Sequence, residues 1–120
     1  MTHWISSGGA NYIGVRNVAA AEAWYIEKLG MRKMSIEMDN GEGCVALGFS
    51  KDEYAVTLGP PDRPTDELTP ILFSPNVQKA RETLNTRGVN VSHIQQDRQG
   101  TSYFEMRDLE GNVVEISEEP

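Results

Sequence analysis

The 120-residue chain contains a single cysteine, Cys44, so no intrachain disulfide can form and nothing calls for an oxidising compartment. Histidine is nearly as scarce: His3 and His93 are the only imidazoles from which a metal site could be assembled. Basic residues are few, with 11 Lys and Arg against 18 Asp and Glu, a formal charge of −7 at pH 7. Nucleic-acid grooves and anionic membrane surfaces both need clustered cations, so neither is expected as a partner. No apolar run approaches the roughly 20 residues of a membrane span. Met1 to Gly9 lacks the apolar core of a secretion signal. Gly-rich phosphate loops, nucleophile elbows and Cys–His spacings suited to zinc are missing too. The expectation is a soluble, cytoplasmic protein. Its length suits one domain with a proper core.

Along the chain, Met1 to Gly9 reads as a flexible lead-in or an edge extension, and Asn11 to Arg16 as the first strand. Asn17 is a good helix N-cap. Behind it Val18, Ala21, Tyr25 and Leu29 form one amphipathic stripe, and Gly30 stands where a C-terminal cap belongs. Strands are predicted over Arg32 to Met38, Gly43 to Phe49 and Glu53 to Leu58, separated by turn-forming Asp39-Asn40-Gly41 and Ser50-Lys51-Asp52. Residues 59–68 hold three prolines and three acids and form a connector. The order then begins again: a strand over Thr69 to Phe73, a helix capped by Asn76 and closed by Gly88, and strands near Asn90 to Gln95, Thr101 to Arg107 and Asn112 to Ser117.

This recurrence is the most informative feature of the sequence. Asn17, Val18, Ala21 and Tyr25 match Asn76, Val77, Ala80 and Leu84 at a shift of 59 residues. Gly30 matches Gly88 at 58, and Ala55-Val56-Thr57-Leu58 matches Val113-Val114-Glu115-Ile116 at the same shift. The fold class is therefore α+β: two tandem βαβββ modules forming a curved mixed sheet around a cleft. Module one covers about 10–59 and module two about 69–117. Each sheet would cover its apolar face with its own helix.

The last strand follows Asp108-Leu109-Glu110-Gly111-Asn112, whose Gly-Asn pair supplies a tight turn. Alternation puts Val114 and Ile116 on one face and Val113, Glu115 and Ser117 on the other. Glu115 is thus a carboxylate opposite a core-like face, on either an ordinary solvated surface or the wall of a polar site. Thr57 is its counterpart in module one.

Val15-Arg16-Asn17-Val18, Trp24-Tyr25 and Leu29-Gly30, followed at the far end by Asp108 to Glu115, resemble the opening and closing motifs of the vicinal oxygen chelate superfamily. That superfamily includes glyoxalase I, extradiol dioxygenases, fosfomycin-resistance transferases and bleomycin-resistance proteins. With the internal repeat, the resemblance covers about Ala10 to Ser117. It implies the fold and a homodimer, and it is not specific for an activity.

In metal-using members the resemblance implies a divalent ion held by His or Gln on the first strand, His on the fifth and Glu on the last. The ion polarises vicinal oxygens of the substrate. Counting back seven residues from Asn17 and from Asn76 places the first two ligand positions at Ala10 and Thr69, leaving Glu115 as the retained one. A methyl group and a neutral hydroxyl do not replace imidazoles. A register shift would offer Asn11 or Tyr12, and His3 or His93 are the remaining imidazole candidates. No metal or other cofactor is expected.

The same alternating face as Ala10 and Thr69 should carry Tyr12, Gly14, Ile71 and Phe73, a largely apolar wall suited to an organic ligand or simply to filling core. Tyr103 and Arg107 are further ligand candidates, Arg107 alternatively as a structural ion pair with Glu115. Trp24 is assigned to packing or an interface, and Cys44 to a small buried apolar role. The expected function is a metal-free small-molecule binding protein of the glyoxalase/bleomycin-resistance type. The alternative is a lyase, isomerase or dioxygenase of the glyoxalase type with an atypical metal site, Glu115 being its catalytic residue if it has one.

Overall fold

The computed structural model describes residues 5, 7–8, 11–34, 44–49, 54–60 and 69–119. Two βαβββ modules follow one another. The first comprises β2 (Asn11–Gly14), α1 (Val18–Leu29), β3 (Arg32–Lys33), β4 (Val45–Gly48) and β5 (Tyr54–Gly59). The second comprises β6 (Ile71–Ser74), α2 (Val77–Thr86), β7 (Asn90–Val91), β8 (Gln95–Gln96), β9 (Ser102–Arg107) and β10 (Val113–Glu118). A short strand β1 (Ser7–Gly8) precedes them.

Both helices begin as their sequences dictate. The Asn17 side chain accepts the Ala20 N–H at 3.0 Å, and the Asn76 side chain accepts the Lys79 N–H at 3.0 Å. Both end at a left-handed glycine. Gly30 (φ 73°) returns its N–H to Ile26 O at 3.1 Å. Beyond α2, Gly88 donates to Asn85 O and Val89 donates to Leu84 O, the paired closure of a Schellman motif.

The strands make two mixed sheets. In one the order is β2-β5-β4-β3, with β2 and β5 parallel; in the other it is β1-β6-β10-β9-β7, with β6 and β10 parallel and β8 beside β9. The N-terminal strands serve both, since Ser7 and Gly8 pair with Phe73 and Leu72 while Asn11 to Gly14 pair with Val56 to Gly59. Asn11 fastens this crossing. Its Nδ2 donates to Ala55 O at 3.1 Å and Ile71 O at 3.0 Å, and its Oδ1 accepts the Ile71 N–H at 3.3 Å.

Each helix lies on the sheet of its own module. Alternation sends Val56, Leu58 and Leu47 inward in module one, and Phe104, Met106, Val114 and Ile116 in module two, all fully buried. Tyr25, Leu29, Ala80 and Leu84 meet them from the helices, and the two halves share one apolar cluster. A fully buried Leu or Ile contributes about 1.5–3 kcal/mol relative to its exposed state.

One alternative is decided, one expected strand is corrected, and part of another lies outside the described residues. Part of the lead-in is an edge extension: Ser7–Gly8 is a strand and Ile5 is fully buried. The strand foreseen over Asn90 to Gln95 is broken into β7 and β8, because the Ser92 hydroxyl accepts the Glu105 N–H at 2.9 Å in place of a ladder carbonyl. The strand from Arg32 is described only to Lys33; residues 35–38, like most of the connector (61–68), lie outside the described residues.

Candidate functional site

The turn before β10 is built around Asp108. This buried carboxylate accepts the Tyr25 hydroxyl at 2.8 Å, the backbone N–H groups of Glu110 (2.9 Å) and Asn112 (2.8 Å), and the Asn112 side-chain amide at 3.1 Å. Burial, reinforced by the Asp108 charge and hydrogen bond, raises the Tyr25 phenol well above its ordinary range. Asn112 also donates to Gly14 O at 3.2 Å. Glu110 reaches the start of α1, where its carboxylate accepts the N–H groups of Arg16 (2.8 and 3.0 Å) and Asn17 (3.0 Å). These donors lower the Glu110 carboxyl below its ordinary value. The first turn of α1 has no acidic residue of its own, so module two supplies the anion that favours a helix N-terminus. The Asp108–Asn112 motif is therefore a clamp that fixes the entry to β10 against module one.

The clamp sets the register of β10, and with it the open face of the second sheet. Val113 stands opposite Arg107 on β9, and Arg107 opposite Asn90 on β7. Glu115 stands between Ile71 on β6 and Glu105 on β9. Ser117 stands between Phe73 and Tyr103, with Gln95 beyond. Because side chains alternate, Glu115, Glu105, Tyr103, Arg107, Ile71 and Phe73 share the face turned away from the buried Val114 and Ile116. Glu115, Ile71, Phe73 and Tyr103 are half-buried, while Glu105 and Arg107 are exposed. Partial burial is the largest cause raising the Glu115 carboxyl above its ordinary value, followed by the charges of Glu105 and Asp97.

Five of the residues expected in a site, Glu115, Ile71, Phe73, Tyr103 and Arg107, thus share one face. Tyr12 is held in module one, paired with Thr57. Its hydroxyl donates to Pro60 O at 2.7 Å and its ring crosses Gly59, where an added Cβ would strike the hydroxyl and come within 2.7 Å of Cys44 Sγ. Thr69 is exposed and precedes β6. Ala10 and His3 lie outside the described residues. His93 is exposed between β7 and β8. Arg107 is anchored at Gly111 O (3.0 Å) and stands opposite Val113; among the described residues it makes no ion pair with Glu115. Tyr103 donates to Gln95 Oε1 at 3.4 Å. Trp24 is half-buried, its ring edge-on to Tyr25 at 5.0 Å.

Glu105 is the site residue that the sequence reading passed over. The signal was available, since it sits midway between Tyr103 and Arg107 on one strand and must share their face. Beside it a pocket of about 160 Å³ opens, lined by Asn90, Val91, Ser92, Glu105, Arg107 and Val113.

Among the described residues Glu105 is the nearest further carboxylate on the ladder, no imidazole joins this face, and no group of three or more His, Cys, Asp or Glu could hold a metal ion.

No protein-family model matches the chain, and no curated protein matches it. Solved structures do. A member of the glyoxalase/bleomycin resistance protein/dioxygenase superfamily from Sphaerobacter thermophilus is 23% identical with a TM-score of 0.72, over 96% of this chain and 98% of that one. TnmS3, an antibiotic binding protein from a Streptomyces strain, is 19% identical with a TM-score of 0.70, over 97% and 98%. A lactoylglutathione lyase from Agrobacterium tumefaciens is 17% identical with a TM-score of 0.67, over 91% and 90%. At these identities the likeness establishes the architecture: this chain has the vicinal oxygen chelate fold of the glyoxalase/bleomycin resistance protein/dioxygenase superfamily.

Proposed function

We propose that the protein binds a small organic molecule on the open face of β6, β10 and β9, without the metal used by many proteins of this fold. The observation that carries this reading is the row Ile71–Glu115–Glu105 beside Phe73–Ser117–Tyr103: half-buried apolar and aromatic surface around one partly desolvated carboxylate. Such a face offers an apolar contact area and a few polar groups to orient a ligand. The antibiotic binding protein among the similar structures supports it. We further propose a cytoplasmic homodimer. Trp24 and the exposed Ile26 on α1 provide apolar surface for symmetric pairing. Among the described residues no helix is long and apolar enough to cross a membrane.

The competing reading is a lyase, isomerase or dioxygenase of the glyoxalase type. It draws support from the lactoylglutathione lyase neighbour, and it calls for an atypical metal site to which Glu115 would contribute its carboxylate.

Native mass spectrometry of the purified chain, with elemental analysis after dialysis without chelator, separates the two. An organic adduct, or saturable binding of members of a panel of aromatic antibiotics with amide shifts at Ile71, Phe73 and Glu115, is expected. About one zinc, nickel, manganese or iron per chain would return the enzyme to first place.

A further inference from the structure

The pocket beside Glu105 has a composition that goes beyond a generic apolar wall. On β9, Glu105 and Arg107 point to the same face two residues apart, a step of about 7 Å along a strand. Strand pairing extends each into a row: Arg107 lies between Val113 and Asn90, while Glu105 lies beside Glu115. An anionic row therefore runs next to a cationic one.

The two charges do not neutralise each other. Among the described residues neither Glu105 nor Arg107 has an opposite charge within 4.0 Å. The Arg107 guanidinium, which lines the pocket, is steadied through a single nitrogen, Nη1, donating to Gly111 O at 3.0 Å, and its other N–H groups remain available as donors. On the anionic side Glu115 and Glu105 are direct cross-strand neighbours of like charge, an arrangement that a bound cation relieves. The raised Glu115 carboxyl, with Glu105 and Asp97 among its causes, reports the same uncompensated field.

Size limits what fits. About 160 Å³ is several times the roughly 30 Å³ share of one water and well short of the about 300 Å³ at which drug-sized pockets begin. The space suits a compact polar head group.

We infer that this pocket is a zwitterion subsite: it takes an α-amino acid, or the amino-acid-like end of a larger ligand, with the ammonium group toward Glu105 and the carboxylate toward Arg107. Asn90, at the end of the cationic row, offers an amide as a further partner for the carboxylate. This assignment rests on the reading of the open face as a ligand-binding surface and specifies the head group it selects. A carboxylate meets Arg107 through the paired N–H geometry that a guanidinium provides and an ammonium does not.

The test uses three probes that share one ethyl skeleton and differ in the charged groups it carries: L-alanine, ethylamine (alanine without its carboxylate) and propanoate (alanine without its amine). Each is titrated into the full chain and followed by backbone amide shifts. L-Alanine is expected to shift Asn90, Ser92, Glu105 and Arg107 saturably, with each truncated probe at least tenfold weaker. Arg107→Gln should reduce alanine to the affinity of ethylamine, and Glu105→Gln to that of propanoate. Both positions are exposed, and the three-probe comparison on the unaltered protein decides even if a variant does not fold. Alanine binding no tighter than either fragment, or shifting other residues, overturns the assignment. If aromatic ligands shift Ile71 and Phe73 while alanine shifts nothing, the zwitterion subsite falls and the ligand-binding face stands. If no probe binds anywhere on this face, both fall.

Discussion

Lys28 and Arg87, 59 residues apart, cap each other. The Lys28 ammonium donates to Arg87 O at 2.8 Å, while the Arg87 guanidinium donates to Lys28 O at 2.8 Å and Glu27 O at 3.5 Å. The helix ends are related by a shift of 58, Gly30 to Gly88, so the two residues stand one position out of the repeat register while each gives a cation to the other's carbonyl. Each side chain places positive charge at the C-terminal end of a helix, where unpaired carbonyls and the macrodipole favour it. We expect Arg87→Ala to cost about 1 kcal/mol and Lys28→Ala about 0.5 kcal/mol, since Arg87 is exposed and Lys28 is partly so. A double-mutant cycle by urea unfolding should show a coupling of about 0.5 kcal/mol or more. Additive losses would mean that the two contacts do not act as a pair.

Tyr25→Phe removes one of the donors to the buried Asp108 carboxylate and should cost about 1–3 kcal/mol at pH 7. The same variant reports on alkaline stability. The Tyr25 phenol is raised in the folded state, so its contribution is fully present below its unfolded value near 10 and is lost as pH rises through the folded value. The free energy of unfolding, measured from pH 8 to 11, should therefore fall less steeply for Tyr25→Phe than for the parent chain.

Glu115→Gln should fold and be somewhat more stable than the parent at neutral pH. A carboxyl raised in the folded state contributes stability that is fully present below about pH 4 and lost as pH rises through the folded value. At pH 7 the charge is a cost, and the amide avoids it while keeping the shape. The gain in melting temperature should vanish near pH 3, and ligand affinity should fall. A variant that melts lower at pH 7 would contradict the argument.

Gly59→Ala sets a methyl group against the Tyr12 hydroxyl and Cys44 Sγ. The Tyr12 bond to Pro60 O has to lengthen or break, at about 1–3 kcal/mol. Tyr12→Phe should ease the clash, so the double variant should lose less than the sum of the two single losses.

Much of this fold was legible because its signals are local. Asn17 and Asn76 cap helices within three residues of themselves, Gly30 and Gly88 end them, and alternation around Val114 and Ile116 gave the facing of Glu115. What escaped the sequence is long-range. Glu110 meets Arg16 across a separation of 94 residues, and no periodicity encodes an acid whose helix lies in the other module. The Asp108 motif could be matched to a family without disclosing that its work is to hold Tyr25 and the turn backbone. Tyr12 was assigned to a ligand wall by alternation alone, which says nothing of the Pro60 carbonyl that engages its hydroxyl. The break between β7 and β8 depends on a serine hydroxyl standing in for a backbone acceptor, a substitution no propensity reports.

The clamp at Asp108 and Glu110 also constrains the order in which a nascent chain can mature. Module one is translated first, yet the anion at the start of its helix and the hydroxyl partner of Tyr25 come from residues 108–110, and Asn11 waits for Ile71. At about 5–20 residues per second, translation from Asn17 to Glu110 takes roughly 5–20 s. During that interval module one lacks those contacts on the ribosome, with part of its N-terminal strand lacking its β6 partner. Its completion is therefore coupled to the synthesis of module two, although the repeat makes the modules look independent.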